Sequence, residues 1–217
     1  MTARIEPSAV GDAFGHGPLV TAEGVTFRVW APDCRELRLE LGAPVERSLP
    51  MQRGDHCFWQ LRVPACDAGT RYAFRVDGAG PFPDPASRSQ PDGVHAASEV
   101  VDTGAFAWRT PPWPGLRMPG LVIYECHVGT ATAGGTFEAL IADLPRLARL
   151  GVNALELLPV AAFPGRRNWG YDGVQWYAPS ANYGGPAGLQ RLVDAAHGHG
   201  LGVLLDVVYN HLGPDGN

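Results

Sequence analysis

The hydrophobic period of this chain changes once, at Gly120, and that change limits the folds open to it. Before it, residues 24–30, 37–41, 57–63 and 72–76 alternate apolar and polar side chains. A period of two is that of strands with one buried face. Turn signals separate them, among them Ala31-Pro32-Asp33 and Asp77-Gly78. After Gly120, largely apolar runs of strand length at 121–128, 152–158 and 201–206 enclose two stretches of helical spacing, 136–150 and 189–196. Strands that are apolar along their length are buried on both faces. Placed alternately with helices, they predict a right-handed parallel βαβαβ unit.

Local signals sharpen this outline. Thr136 is the expected N-cap of the first helix, whose Phe137, Leu140, Ile141, Leu144, Leu147 and Leu150 fall on one face, and Gly151 ends it. Pro145 within that run either kinks the helix or marks a late first turn. From Pro81 to Pro119 prolines recur, which predicts a connector on the surface of its neighbours, with a short strand near 99–102 closing the first region. The stretch 160–186 reads as a long loop.

A βαβαβ unit opens both the doubly wound nucleotide-binding sheet and the eight-fold β/α barrel. Residues 129–136 have Gly135 where a P-loop has lysine and lack the G-x-G-x-x-G spacing. The barrel is therefore favoured. Because a barrel needs roughly 250 residues and only 97 follow Gly120 (217 − 120), the chain is expected to stop after the third of eight strands. The expected organisation is an immunoglobulin-like β-sandwich over residues 1–104, a Pro-rich linker over 105–120, and the first three β/α units of a truncated barrel over 121–217.

Composition excludes several partners. Seventeen Lys and Arg against 22 Asp and Glu give −5, with no basic run to meet a phosphate backbone, so no nucleic acid is expected. No apolar stretch reaches the roughly 18 residues a bilayer span needs, and the opening seven residues lack the apolar core of a leader. A cytoplasmic location without membrane contact is expected. Cys34, Cys57, Cys66 and Cys126 form no C-x-x-C pair and read as free thiols, so no metal or other cofactor is assigned.

Barrel enzymes place their chemistry at the carboxyl ends of the strands. There the chain offers Glu125, Glu156 and Asp206. The two glutamates read equally well as functional carboxylates facing inward and as buried acids paired with arginine. Asp206 is followed by Asn210 and His211 at a strand-to-loop transition, which favours a functional site. The long loop adds Trp169, Tyr171 and Trp176, aromatic surfaces suited to the C–H face of a sugar, or else side chains that pack the loop down.

At these residues the chain resembles a known family. Asp206-Val-Val-Tyr-Asn-His211 looks like the first signature region of the α-amylase superfamily of glycoside hydrolases, with Gly170-Tyr171 and Asn182-Tyr-Gly184 at the expected spacing. The runs Phe27-Arg-Val-Trp-Ala-Pro32, Pro83-Asp-Pro-Ala-Ser-Arg-Ser-Gln-Pro91, Tyr124-Glu-Cys-His-Val-Gly-Thr130 and residues 162–173 are similar to those of its malto-oligosyltrehalose trehalohydrolase subfamily. Two departures are Cys126, where that subfamily usually has Leu, and Ala131, where it usually has Phe.

The resemblance implies hydrolysis of the α-1,4 bond next to the terminal trehalose of malto-oligosyltrehalose, with retention. It implies that Tyr171 stacks on the sugar beside the scissile bond, that His211 hydrogen-bonds the 6-hydroxyl, and that Asp206 orients an arginine near the nucleophile. Asn210 matches a position linked to calcium in many amylases and is read as structural, and Trp169 as a supporting loop aromatic. The nucleophilic Asp and the acid/base Glu are implied to lie after residue 217, so that none of the catalytic pair is in this chain, Glu125 and Glu156 are displaced from that role, and the chain alone is expected to be inactive. Branching or isoamylase-type debranching enzymes share this front domain and barrel start, and a non-catalytic glucan-binding module is the reading from another class. The expected partner in each case is an α-glucan; oligomeric state is not readable.

Overall fold

The computed structural model describes residues 15–64, 66–110 and 112–216. The opening seven residues read above and Asn217 lie outside them. Leu19–Thr21 (β1), Gly24–Trp30 (β2), Leu37–Leu41 (β3), Arg47–Pro50 (β4), Gln52–Arg53 (β5), Phe58–Val63 (β6), Arg71–Val76 (β7), Ala79–Phe82 (β8) and Ser98–Glu99 (β9) make two antiparallel sheets. One has the order β1-β2-β6-β5, the other β4-β3-β7-β8 with β9 also paired to β7. Alternation places Val25, Phe27, Leu39, Tyr72 and Phe74 in a common core between them. The connector after Pro81 is less irregular than expected, since β8 reaches into it, and β9 lies at the start of the short strand expected near 99–102. Proline does not forbid this, because β8 pairs on one side only.

Two acids are buried in this sandwich. Glu40 receives Arg75 Nε at 2.9 Å. Asp84 Oδ2 accepts from the Tyr72 hydroxyl at 2.7 Å and Oδ1 from the Ala86 N–H at 2.8 Å. Burial outweighs these bonds and pushes the Asp84 carboxyl up to about 6; the same burial raises the Tyr72 phenol.

Ile123–Cys126 (β10), Ala154–Leu157 (β11) and Gly202–Leu205 (β14) form a parallel sheet in the order β10-β11-β14. Between β10 and β11 the chain makes a helical turn, Val128–Ala131 (α1), then Phe137–Ile141 (α2) and Leu144–Leu150 (α3). The sequence predicted one helix over 136–150. The structure divides it, with Pro145 in the first turn of α3, where its missing N–H costs nothing. The Thr136 hydroxyl caps α2 by accepting from the Ala139 N–H at 3.2 Å, and Gly151 closes α3 at φ 94°. The stretch 160–186 is not the open loop predicted. It contains the hairpin Ala161–Ala162 (β12) and Gln175–Pro179 (β13), and the helix after it, Gly185–Gly198 (α4), starts earlier than expected, with Pro186 in its first turn. Leu140, Leu144, Leu147, Leu155, Leu157 and Leu192 form the core between helices and sheet.

The linker is pinned to α4. Asp194 Oδ1 accepts the Arg109 and Thr110 N–H groups, each at 3.0 Å, and the Thr110 hydroxyl donates to the Asp194 carbonyl. These donors, Thr110 first, hold the Asp194 carboxyl below the ordinary carboxylate range. Trp113 stacks on His197 with ring centroids 4.6 Å apart. All four cysteines are free thiols, as their spacing predicted. Among the described residues no helix is long and apolar enough to cross a membrane.

Candidate active-site cleft

The strand order β10-β11-β14 brings three chain ends to one rim. Asp206 leaves β14 while its N–H still bonds the Leu157 carbonyl at 2.9 Å, so the ladder carries the acid to the lip. The segment after it, Val207 to Tyr209, faces Pro159, Gly170, Gly173 and Trp176 across a depression of about 80 Å³. Tyr209 meets Trp176 edge to face at 5.5 Å.

The loop that presents Tyr171 is held from several sides. Gly170 has φ +100°, and a Cβ there would stand 2.9 Å from the Pro159 ring, so only glycine allows the chain to pass. Its N–H donates to the Asn168 side-chain oxygen. The Asn168 carbonyl in turn lies 2.9 Å from His127 Nε2, and a carbonyl can only accept, so the proton sits on Nε2. On the far side His211 Nε2 lies 3.0 Å from the Tyr171 carbonyl and must likewise donate. Gly213 approaches so closely that a Cβ would fall 2.2 Å from the Asp172 carbonyl, and its N–H bonds Gly173 at 3.0 Å. The loops after β11 and β14 are thereby fixed against each other.

The predicted site residues fall into two groups. Tyr171 and His211 are brought together, both exposed, with Asp206 half-buried in the wall of the neighbouring depression. His211 reaches Tyr171 through its backbone, which leaves Nδ1 as the ring nitrogen open to a ligand. Asn210 is exposed and its side chain makes no hydrogen bond among the described residues. Trp169 is 84% exposed, which removes the reading that it packs the loop down. Trp176 does pack, against Tyr209.

Glu125 and Glu156 sit side by side in register on β10 and β11, on the face turned away from the helices. Glu125 is exposed, Glu156 half-buried, and neither has an ion pair among the described residues, which corrects the reading of either as an arginine-paired buried acid. Cys126, on the helix face, has its thiol pushed up to about 11, first by burial and then by Asp143 and Glu125, and is no nucleophile. Sequence reasoning missed His127 and Tyr209. The use of the first shows only when residue 168 folds back onto it; the second lies inside the signature stretch and meets Trp176 only across the fold.

Comparison with known proteins decides the family. The alpha amylase catalytic-domain model matches residues 82–216, and the carbohydrate-binding module 48 (isoamylase N-terminal domain) matches residues 13–94. This chain belongs to the α-amylase family. It is 50% identical over 194 residues to a malto-oligosyltrehalose trehalohydrolase of Arthrobacter ramosus, covering 88% of this chain and 33% of the relative. A crystal structure from Salmonella typhimurium assigned to the α-amylases has a TM-score of 0.88 at 45% identity, covering 94% of this chain and 34% of that one. A pullulanase from Anoxybacillus sp., solved with maltotetraose, has a TM-score of 0.78 at 25% identity over 91% of this chain and 35% of that one. The chain thus spans about a third of the length of the curated relative it matches. The expected architecture, a sandwich followed by the start of a β/α barrel, agrees with these family members.

Proposed function

We propose that the protein carrying this chain is a retaining glycoside hydrolase that cleaves the α-1,4 bond next to the terminal trehalose of malto-oligosyltrehalose and releases trehalose. The observation that carries the reading is the fixed pairing of Tyr171 with His211 beside Asp206, in a chain half identical to a trehalohydrolase. In it, the Tyr171 ring covers the apolar face of the sugar next to the scissile bond. His211 Nδ1 serves its 6-hydroxyl, and Asp206 orients an arginine beside the nucleophile. Trp169 extends the aromatic surface, and Asn210 is structural. Retention needs two carboxyl groups about 5 to 5.5 Å apart, one as nucleophile and one as acid then base. On this reading Glu125 and Glu156 are not that pair, because the resemblance places the nucleophile and the acid/base after residue 217. This chain contributes the supporting half of the sugar subsite.

Incubation of the full-length protein with maltotriosyltrehalose should release trehalose, read by chromatography. Tyr171→Ala should raise KM. Transfer products, or cleaved α-1,6 branches with no trehalose, would sink the reading.

A further inference from the structure

Past Leu205 the chain has no helix or strand among the described residues, so the loop that carries His211 is placed by what it touches. At its near end it is tied to Tyr171 through His211 and to Gly173 through Gly213. At its far end it meets a turn at residues 93–96, closed by the Ala96 N–H on the Gly93 carbonyl at 3.1 Å. Gly216, at φ +90°, passes so close to Val94 that a Cβ would fall 2.4 Å from the valine Cγ2. Val94 is itself 2% exposed and packed with Ala162, Val174 and Ala178. One residue on, His95 Nε2 lies 2.9 Å from Asp215 Oδ1, and a carboxylate only accepts, so the ring donates. The turn is held by the sandwich. Asp92, just before it, pairs with Arg71 of β7 at 3.3 Å, and β9, just after it, pairs with β7 as well.

We propose that Val94 and His95 are positioning residues of the sugar subsite. Through them the sandwich sets the loop that presents His211, and so contributes to glucan affinity without touching the sugar. The two contacts act differently. Val94 fixes how closely the loop approaches, because a side chain at residue 216 would run into it. His95 fixes where along the turn the loop is held, because a hydrogen bond from a ring nitrogen weakens steeply off its axis. Asp215 is four residues from His211, and Gly213 between them is pressed against Asp172, so the segment has little slack to absorb a shift. The His95–Asp215 pair is exposed, 66% and 60%, and such pairs add little to folding stability. Its effect therefore falls on the placement of the loop. The substrate side of this proposal rests on the trehalohydrolase reading; the loop geometry does not.

The test uses the full-length protein and the variants His95→Ala, Asp215→Ala and the two combined. Each single variant should raise KM for maltotriosyltrehalose about two- to fivefold, with kcat and melting temperature little changed. The double variant should be no worse than either, because both remove the same bond. His95→Gln, whose amide can donate from a similar position, should restore most of the loss. Gly216→Ala, which drives a methyl group into Val94, should raise KM further than His95→Ala does. With ring-labelled histidine and no substrate present, the His211 NMR signal should move in His95→Ala and in Asp215→Ala. That signal decides the positioning even where the parent releases no trehalose, the outcome that defeats the functional reading instead. An unmoved His211 signal, a KM unchanged across the variants, or losses that add in the double variant would overturn the proposal.

Discussion

The front sandwich and the parallel sheet bury their apolar residues in different ways. In the sandwich two inner faces meet, and Phe27, Leu39 and Tyr72 are completely covered by the chain itself. In the parallel sheet the helix face is covered, while the other face is covered only in part, at Ala154 and Gly202. Leu155 and Leu157 are buried on the helix face, whereas Ile123 and Leu204 on the same sheet are 45% and 36% exposed. Parallel sheets are normally covered on both faces. The sandwich therefore holds its stability within its own residues, while the sheet has one face set by packing and a rim set by hydrogen bonds between loops.

The sharpest way to break that contrast is in the cores. Phe27→Ala should cost about 3–5 kcal/mol. Leu204→Ala, on the open face, should cost less than about 1 kcal/mol. Denaturant unfolding of the two variants measures both, and equal losses would remove the distinction.

Each region also holds a nearly inaccessible aspartate, and the two titrate in opposite directions. Asp84 meets two donors, but burial dominates and its carboxyl rises to about 6. Asp194 meets two backbone N–H groups and a hydroxyl at a helix surface, and its carboxyl falls. The signs follow. Between the ordinary value of 3.8 and about 6 the folded state binds the Asp84 proton more tightly than the unfolded chain does, so stability declines as pH rises through that window. The span of about 2 pH units corresponds to about 3 kcal/mol. Asp194 stabilises above 3.8, and that contribution is lost as pH falls through its lowered folded value. Melting temperature against pH should lose its decline between about pH 4 and 6 in Asp84→Asn. Asp194→Asn should instead melt lower at neutral pH and match the parent in acid.

How much of this was legible in the sequence depended on the range of the interaction that decides it. Strands β2, β3, β6 and β7, the cap at Thr136 and the stop at Gly151 rest on neighbours within a few residues, and the sequence shows them. Pro145 left two outcomes open because the break near Ala142 is made by packing of Leu144 and Leu147, not by the proline alone. The hairpin β12–β13 was hidden because its partners are far apart in the chain and β12 has only two residues. In the cleft, the types Tyr171, Asp206 and His211 could be singled out by residue chemistry. Their arrangement could not, since His127 reaches residue 168 and His211 reaches residue 171 only across the fold.

The rim can be separated from the covered face through His127. Its ring meets the buried Tyr183 edge to face and, on this reading, does not touch the sugar; it donates to the loop that carries Tyr171. Loss of one such bond is worth about 1 kcal/mol, roughly a fivefold weakening. His127→Ala should therefore raise KM for the glucan about fivefold while kcat changes little. His127→Gln, whose amide can donate from a similar position, should restore most of it. A fall in stability with no change in KM would move His127 from the rim to the core.

The smallest effect expected concerns the covered face itself. Thr136 caps α2 through the Ala139 N–H, and α2 then buries Phe137 and Leu140 against the sheet. If packing holds this face, removing the cap should cost only the capping bond, about 0.5–1 kcal/mol in Thr136→Ala. Thr136→Ser, which keeps the hydroxyl, should lose less. A helix of five residues has almost no stability of its own, so the cap and the buried pair are all that fix where it begins. A loss several times larger would mean that the cap sets the register of Phe137 and Leu140 in the core, and the covered face would then depend on a hydrogen bond as the rim does.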